Sequence, residues 1–289
     1  MSTADQAPDV SIVLPTYNRA DALRANLGSM LAIADVCELI VVDDGSRDAT
    51  PEVLAAQTDP RLRVLTQPEN RGQPTARNLG VDAATGEWIL FGEDDCRFPV
   101  DYAAVLKREA AQHRADIVGA PCIHTRADAL DAAVAHGRAE SVREIGLDMV
   151  GMFPAKTVVT PFVPALALIR RSVFETVRFD GGYRGNAWRE ETAFFVDAMR
   201  HGFVCILTPE TFSYQTRQWG GGARRSRLSY EYWAARNNWR FLHLHGRWLA
   251  EHGYLRQPVL AQLCFVWHRA RIVSTGYVRA RRRSVGGTT

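Results

Sequence analysis

A chain of 289 residues with 46% hydrophobic content can bury a large core, as one domain or as one domain with an appendage. The net charge of +3 gives no general case for nucleic-acid binding, and five scattered cysteines with no CxxC pair support neither a zinc site nor a disulfide framework. The polar stretch Met1 to Pro8 lacks the features of a secretion signal, and the most apolar stretch, Val158 to Ile169, is broken by Pro161 and Pro164 and is too short to cross a bilayer; the expectation is a soluble, cytoplasmic protein.

Strand and helix signals alternate from the start. Val10 to Leu14 is a short apolar run stopped by Pro15, and Ala20 to Leu31 carries Leu23, Leu27, Met30 and Leu31 at helical spacing. Glu38 to Val42 is the next strand and ends in the turn Asp43-Asp44-Gly45-Ser46. A short helix over 48–57, a strand over 62–65, a turn at Asn70-Arg71-Gly72 and a helix over 74–83 follow, with Gly86 ahead of a strand at Trp88 to Phe91. A helix at 101–113 and a strand at 116–119 complete the first half. The second half reads as a mixed helical pattern at 127–142, strands at 166–169 and 203–207 around a helix at 190–201, and two long helices at 230–245 and 259–283. Such alternation predicts an α/β fold with a mostly parallel sheet flanked by helices. The expected division is a disordered tail at 1–8, a catalytic domain at 9–218 with halves 9–123 and 124–218, and a helical extension at 219–289.

In open parallel sheets a ligand sits beyond the carboxyl ends of the strands. Tyr17, Asp44, the 70–72 turn and Asp94-Asp95 all fall at such ends, so remote segments converge on one edge. The acidic triplet Glu93-Asp94-Asp95 is the strongest chemical signal there. Crowded carboxylates repel one another and lose hydration, and are kept where a cation or a hydrogen-bonding ligand offsets them, unless the triplet is an acidic turn in water. Hard oxygen ligands suit magnesium or manganese. GxGxxG and GxxxxGK[ST] are both missing, which argues against a dinucleotide-binding fold and a Walker loop.

Ser11-Ile-Val-Leu-Pro-Thr-Tyr-Asn-Arg19 and Leu39-Ile-Val-Val-Asp-Asp-Gly-Ser46 resemble the opening blocks of family 2 glycosyltransferases. Asn70-Arg-Gly, Ala76-Arg-Asn-Leu-Gly80, Gly86-Glu-Trp-Ile-Leu-Phe, Arg170-Arg-Ser-Val-Phe174 and Trp188-Arg-Glu-Glu191 continue the resemblance in order, over roughly residues 9 to 212. The resemblance implies the GT-A fold (nucleotide-diphospho-sugar transferase-like), a nucleotide-sugar donor, a divalent metal and inversion at the anomeric carbon. On it, Pro15, Thr16, Tyr17, Arg19, Asp44, Arg71 and Asp94 bind the nucleotide sugar, Asp95 binds manganese or magnesium, and Glu191 is the catalytic base. Trp188 and Glu190 are placed with the acceptor and Arg217 with the diphosphate. UDP- or dTDP-sugars are the donors expected by analogy, with the acceptor unspecified.

Each residue also has a plainer reading. Asp43 and Asp44 could only cap a helix, Tyr17 could be a half-buried aromatic, Trp188 could be core, Glu190 could cap its helix start, and Arg217 could be a solvated loop charge. Three positions depart from the family pattern: Glu93 and Glu191 stand where aspartates are usual, and Gln215 stands where many relatives carry a histidine. These departures motivate an alternative, a non-catalytic nucleotide-sugar binding or scaffold protein of the same fold. Gly220 to Arg225 reads as a closing loop or a linker. The aromatic and basic mixture of the last helices reads as packing or as peripheral contact with an anionic membrane.

Overall fold

The computed structural model describes residues 8–125, 127–147, 152–215 and 226–285, with the backbone alone for residues 127 and 272–285. The chain divides into two compact units: Met1–Gly182 with Glu190–Ala223, and Tyr183–Arg189 with Arg224–Thr289.

The first unit is built on β1 (Val10–Thr16), β2 (Val36–Asp43), β3 (Leu62–Thr66) and β4 (Trp88–Phe91). Their pairing is parallel, in the order β3-β2-β1-β4. β1 is apolar at nearly every position because both of its faces are covered. On one face Ile12 and Leu14 join Leu23, Leu27 and Met30 of α1 (Ala20–Leu31), with Tyr102 and Leu106 of α4 (Tyr102–His113). On the other, α3 (Gln73–Ala83) lies so close that a Cβ on Gly80 would fall 2.4 Å from Val13. α2 (Thr50–Ala55) is shorter than the 48–57 stretch expected.

The large sheet continues through β6 (Ile117–Gly119), β8 (Val158–Val159), β9 (Leu168–Arg170) and β10 (Cys205–Leu207), in the order β4-β9-β6-β10-β8. β9 runs antiparallel to both of its neighbours, and β8 is antiparallel to β10. α5 (Leu130–Ala139) is shorter than the 127–142 pattern suggested, being preceded by a 3-10 turn at Ala127–Ala129. α6 (Glu190–Arg200) lays Phe194 against Phe179 at 4.4 Å between ring centroids, and Phe91 and Phe174 complete the cluster.

A second sheet joins β5 (Cys96–Arg97), β7 (Cys122–His124) and β11 (Ser213–Gln215) in the order β5-β11-β7. No strand in it exceeds three residues, too few for an alternation signal. Its register sets Gln215 opposite Cys96, one residue beyond the acidic triplet.

The second unit contains α7 (Arg227–Glu251) and α8 (Pro258–Val285). Ser226 caps α7 by accepting from the Ser229 N–H at 3.1 Å. Gly185 has φ +69° and abuts Trp233, so no side chain fits there. All five cysteines are free.

Candidate active site

The carboxyl ends of β1, β2 and β4 carry the polar residues that the sequence singled out. At the end of β2, Asp44 is 3% exposed and holds three donors. Its Oδ1 accepts from the Gln67 amide at 2.7 Å and the Arg71 N–H at 2.8 Å, and its Oδ2 accepts from the Gly72 N–H at 2.8 Å. Asp44 therefore pins the 70–72 turn at the start of α3 and does not cap α2. Burial pushes its carboxyl above the usual aspartate range, against the pull of the Arg71 and Gly72 N–H groups. Arg71 meets Asp44 through its backbone, and its side chain is exposed. Gly45, with φ +76°, lets the chain at Glu69 approach the turn; a Cβ there would lie 2.8 Å from the Glu69 backbone.

Asp43 makes a local turn, accepting the Ser46 N–H at 3.0 Å. Asn18 adopts φ +52° and ties the loop after β1 to this turn, receiving the Arg47 N–H at 2.7 Å while its own N–H reaches the Ser46 hydroxyl at 2.8 Å. Pro15 and Tyr17 flank this loop, half-buried.

Thr16 joins the two halves. Its carbonyl accepts the Asp44 N–H at 2.9 Å, and its hydroxyl donates to Asp94 Oδ2 at 3.1 Å. Arg19 then bridges the pair that follows β4, with Nε to Asp94 Oδ1 at 2.8 Å and Nη2 to Asp95 Oδ2 at 2.6 Å. Burial acts to lower the Arg19 pKa, but the two carboxylates outweigh it and the net shift is upward. From the small sheet, the Gln215 amide donates to Glu93 Oε2 at 2.6 Å and Asp95 Oδ1 at 2.9 Å. Asn26 on α1 steadies the same loop by donating to the Asp94 carbonyl at 2.9 Å.

The cluster carries more negative than positive charge. Burial raises Glu93 to about 7, against Arg77 and with Asp95, Glu191 and Asp94 adding to the rise. Burial likewise raises Asp94 to about 6, against Arg19 and with Asp95. The start of α6, with Glu191, lies near the triplet, because Arg77 reaches both Glu93 and Glu190. Glu190, one residue earlier, is 2% exposed and lies 2.7 Å from Arg77 Nη1, although neither of its oxygens has an aligned hydrogen bond. Burial raises it to about 8, against Arg77. Arg77 is itself 1% exposed, has its guanidinium carbon 5.3 and 5.2 Å from the Phe91 and Phe179 ring centroids, and stands 3.7 Å from Glu93. Glu190 thus faces a buried cation, where the sequence left open an acceptor contact or a helix cap.

Among the described residues no three His, Cys, Asp or Glu side chains form a ready metal cage, since Arg19 and Gln215 engage the Asp95 oxygens. The donor chemistry nevertheless fits a hard cation: Glu93, Asp94 and Asp95 offer oxygen atoms only, three carboxyls in adjacent positions.

Trp188 lies in the second unit, where its ring centroid is 5.8 Å from that of Phe265 and the Arg269 guanidinium lies over it at 5.4 Å. Arg217 and the 220–225 loop lie outside the described residues. Sequence reasoning gave no role to Gln67, Asn26 or Arg77. Gln67 follows a strand end as Tyr17 and Asp44 do, so the same topological rule reaches it.

The model of glycosyl transferase family 2 matches residues 11–178. The succinoglycan biosynthesis protein ExoO of Rhizobium meliloti is 32% identical over 244 residues, covering 78% of this chain and 66% of ExoO. The next three curated relatives are covered over only 31%, 39% and 33% of their lengths. Among solved structures, the mannosyltransferase PcManGT of Pyrobaculum calidifontis, in complex with GDP-Man and Mn2+, superposes with a TM-score of 0.59 at 19% identity, covering 95% of this chain and 81% of that one. Residues 1–349 of TarS of S. aureus, in complex with UDP-GlcNAc, give a TM-score of 0.59 at 16% identity, with coverage of 85% and 75%. These two likenesses carry the fold, which is that of GT-A-type transferases. With its family model matched over more than half its length, the chain belongs to glycosyl transferase family 2.

Proposed function

We propose that this glycosyltransferase moves a sugar with inversion from a nucleoside-diphosphate donor to an acceptor hydroxyl, using a divalent cation and Glu191 as general base. One observation carries the reading: Thr16, Arg19, the acidic triplet and Gln215, drawn from the ends of β1, β4 and β11, form one bonded network, and Arg77 links Glu93 in it to Glu190, the chain neighbour of Glu191.

Asp44 fixes the 70–72 turn, and Pro15 and Tyr17 border the adjoining loop, which together make the wall for the donor base. Thr16, Arg19 and Asp94 orient the ribose and diphosphate side of the donor. Asp95 would hold manganese or magnesium, in competition with Arg19 for its Oδ2, and the cation would offset the charge that develops on the departing diphosphate. Glu191 takes the proton from the acceptor hydroxyl as that oxygen attacks the anomeric carbon from the face opposite the diphosphate. The donors that PcManGT and TarS bind are nucleotide sugars, and a UDP- or dTDP-sugar is proposed here.

Incubation with a panel of nucleotide sugars, manganese and candidate glycan acceptors should release nucleoside diphosphate. Asp95→Ala should lower turnover about 10²–10³-fold, and Glu191→Gln about 10²–10⁴-fold with donor binding retained in calorimetry. Full turnover in excess chelator would remove the cation from the mechanism. Donor binding with no transfer, unchanged by Glu191→Gln, would favour the non-catalytic binding protein instead.

A further inference from the structure

Charge is segregated along this chain. Residues 226–289 contain eleven arginines against Glu231 and Glu251, whereas residues 1–225 contain 24 basic and 30 acidic residues. The small overall charge conceals a strongly cationic C-terminal segment beside an acidic remainder.

Within the second unit α8 packs on α7 along one seam. Gln262 accepts from the Asn238 amide at 2.8 Å and donates to the Ala235 carbonyl at 3.2 Å. Arg269 grips both oxygens of Glu231 at 2.7 and 2.8 Å, and Phe265 meets Trp188. A Cβ on Gly246 would lie 2.8 Å from Pro258, so the helices touch closely at that end. Pro258, Gln262, Phe265 and Arg269 therefore define the inner face of α8. At 100° per residue, positions 260, 263, 267 and 271 fall within a sector of about 80° on the opposite side. Leu260, Leu263 and Trp267 on that outer face are each more than half exposed, and the Arg271 guanidinium lies 5.5 Å from the Trp267 ring centroid. The helix runs on to Val285 through Arg279 and Arg281 to Arg283.

We propose that this outer face of α8 docks on the surface of an anionic lipid bilayer. Large apolar side chains enter the boundary between headgroups and acyl chains, and Arg271 faces lipid phosphates. Charge selects this occupant over a second copy of the chain, because two such cationic segments repel each other face to face. The leucines and tryptophan select it over nucleic acid or another soluble polyanion, which meets the arginines and leaves the aliphatic surface in water. Among the described residues no helix is long and apolar enough to cross a membrane, so the helix lies on the surface. This inference does not depend on the transfer reaction.

The test is co-sedimentation of the full chain with vesicles of phosphatidylcholine alone, and with vesicles in which about a third of the lipid is phosphatidylserine. The chain should pellet with the anionic vesicles and stay in solution with the neutral ones, and added salt should release it. Arg271→Gln should weaken partitioning about fivefold. The double variant Leu263→Ser, Trp267→Ser should weaken it about tenfold or more, with an unchanged thermal melt because both side chains are exposed. No pelleting with anionic vesicles would overturn the proposal. So would a double variant that binds as tightly as the native chain, since the contact would then be with a polyanion and not with a lipid boundary. A native dimer that this double variant dissociates would assign the face to a second copy.

Discussion

Arg77 offers the sharpest test of how the site is held together. Its guanidinium sits between Phe91 and Phe179, 2.7 Å from Glu190, with both side chains 1% exposed. Arg77→Met keeps most of the volume and removes the cation. An arginine stays charged at any working pH, so the effect depends on the state of Glu190. The Glu190 carboxyl is raised from 4.5 to about 8, so the folded chain holds a proton that the unfolded chain has already released. Stability from this proton is fully present below about pH 4.5 and is lost as pH rises through about 8. In the variant nothing opposes burial, the pKa rises further, and the deficit relative to the native chain opens above pH 8. At about pH 6 the loss should be limited to the ring contacts, about 1–2 kcal/mol. At about pH 9, one unit above the native pKa of about 8, it should grow by about 1.4 kcal/mol, the cost of keeping the Glu190 proton that the native chain has released. Urea titrations at the two pH values measure both numbers, and Arg77→Met combined with Glu190→Met should recover most of the alkaline loss. An equal deficit at both pH values, or a double variant no better than the single one at pH 9, would refute the pairing.

Two further outcomes follow from the geometry around β2. Asp44→Asn keeps one acceptor oxygen but turns an NH2 group toward a backbone or amide N–H, so the 70–72 turn should loosen at a cost of about 1–3 kcal/mol in urea unfolding and donor affinity should fall in calorimetry; unchanged stability and affinity would show that the turn stands without Asp44. Glu38 resists burial through the Thr85 N–H, the Ser11 and Thr85 hydroxyls and Arg63, which together lower it to about 2. Its contribution, up to about 3 kcal/mol, is present above about pH 4.5 and lost as pH falls toward 2, so Glu38→Gln should flatten the acid limb of the stability profile; a native-like acid slope in the variant would contradict this.

The parts of the fold that the sequence displays are those with long periodic signals. β1, β2 and β4 are continuous apolar runs closed by polar turns, and α1 shows Leu23, Leu27 and Met30 on one face, so the sheet edge and its acidic residues could be placed before any coordinates. β5, β7 and β11 are two or three residues long, and only long-range pairing makes them strands. Gln215 belongs to this hidden part: the sequence marks it as a substitution for histidine, but the register opposite Cys96 is what brings its amide to Glu93 and Asp95. Arg77 carried a usable signal. It shares a helical face with Pro74 and Val81, both buried, and a charge on such a face requires a buried partner. Trp188, which the resemblance places with the acceptor, lies in the second unit, since the boundary between the two units falls between Arg189 and Glu190.

The balance of charge explains why a short acidic motif says so much. Glu93, Asp94, Asp95, Glu190 and Glu191 gather around Arg19 and Arg77, and three of the five carboxyls are pushed upward. A diphosphate brought to this edge adds further negative charge to a region that already holds protons to relieve its own. Such a ligand binds well only if positive charge arrives with it or if the carboxyls stay protonated. These two routes respond oppositely to pH. A metal must displace protons and Arg19 from the triplet, so donor affinity in manganese should strengthen as pH rises from about 6 to 8, whereas affinity without metal should weaken over the same range. Calorimetry of a nucleoside diphosphate with and without manganese across that interval separates the two, and parallel slopes would remove the triplet from donor binding.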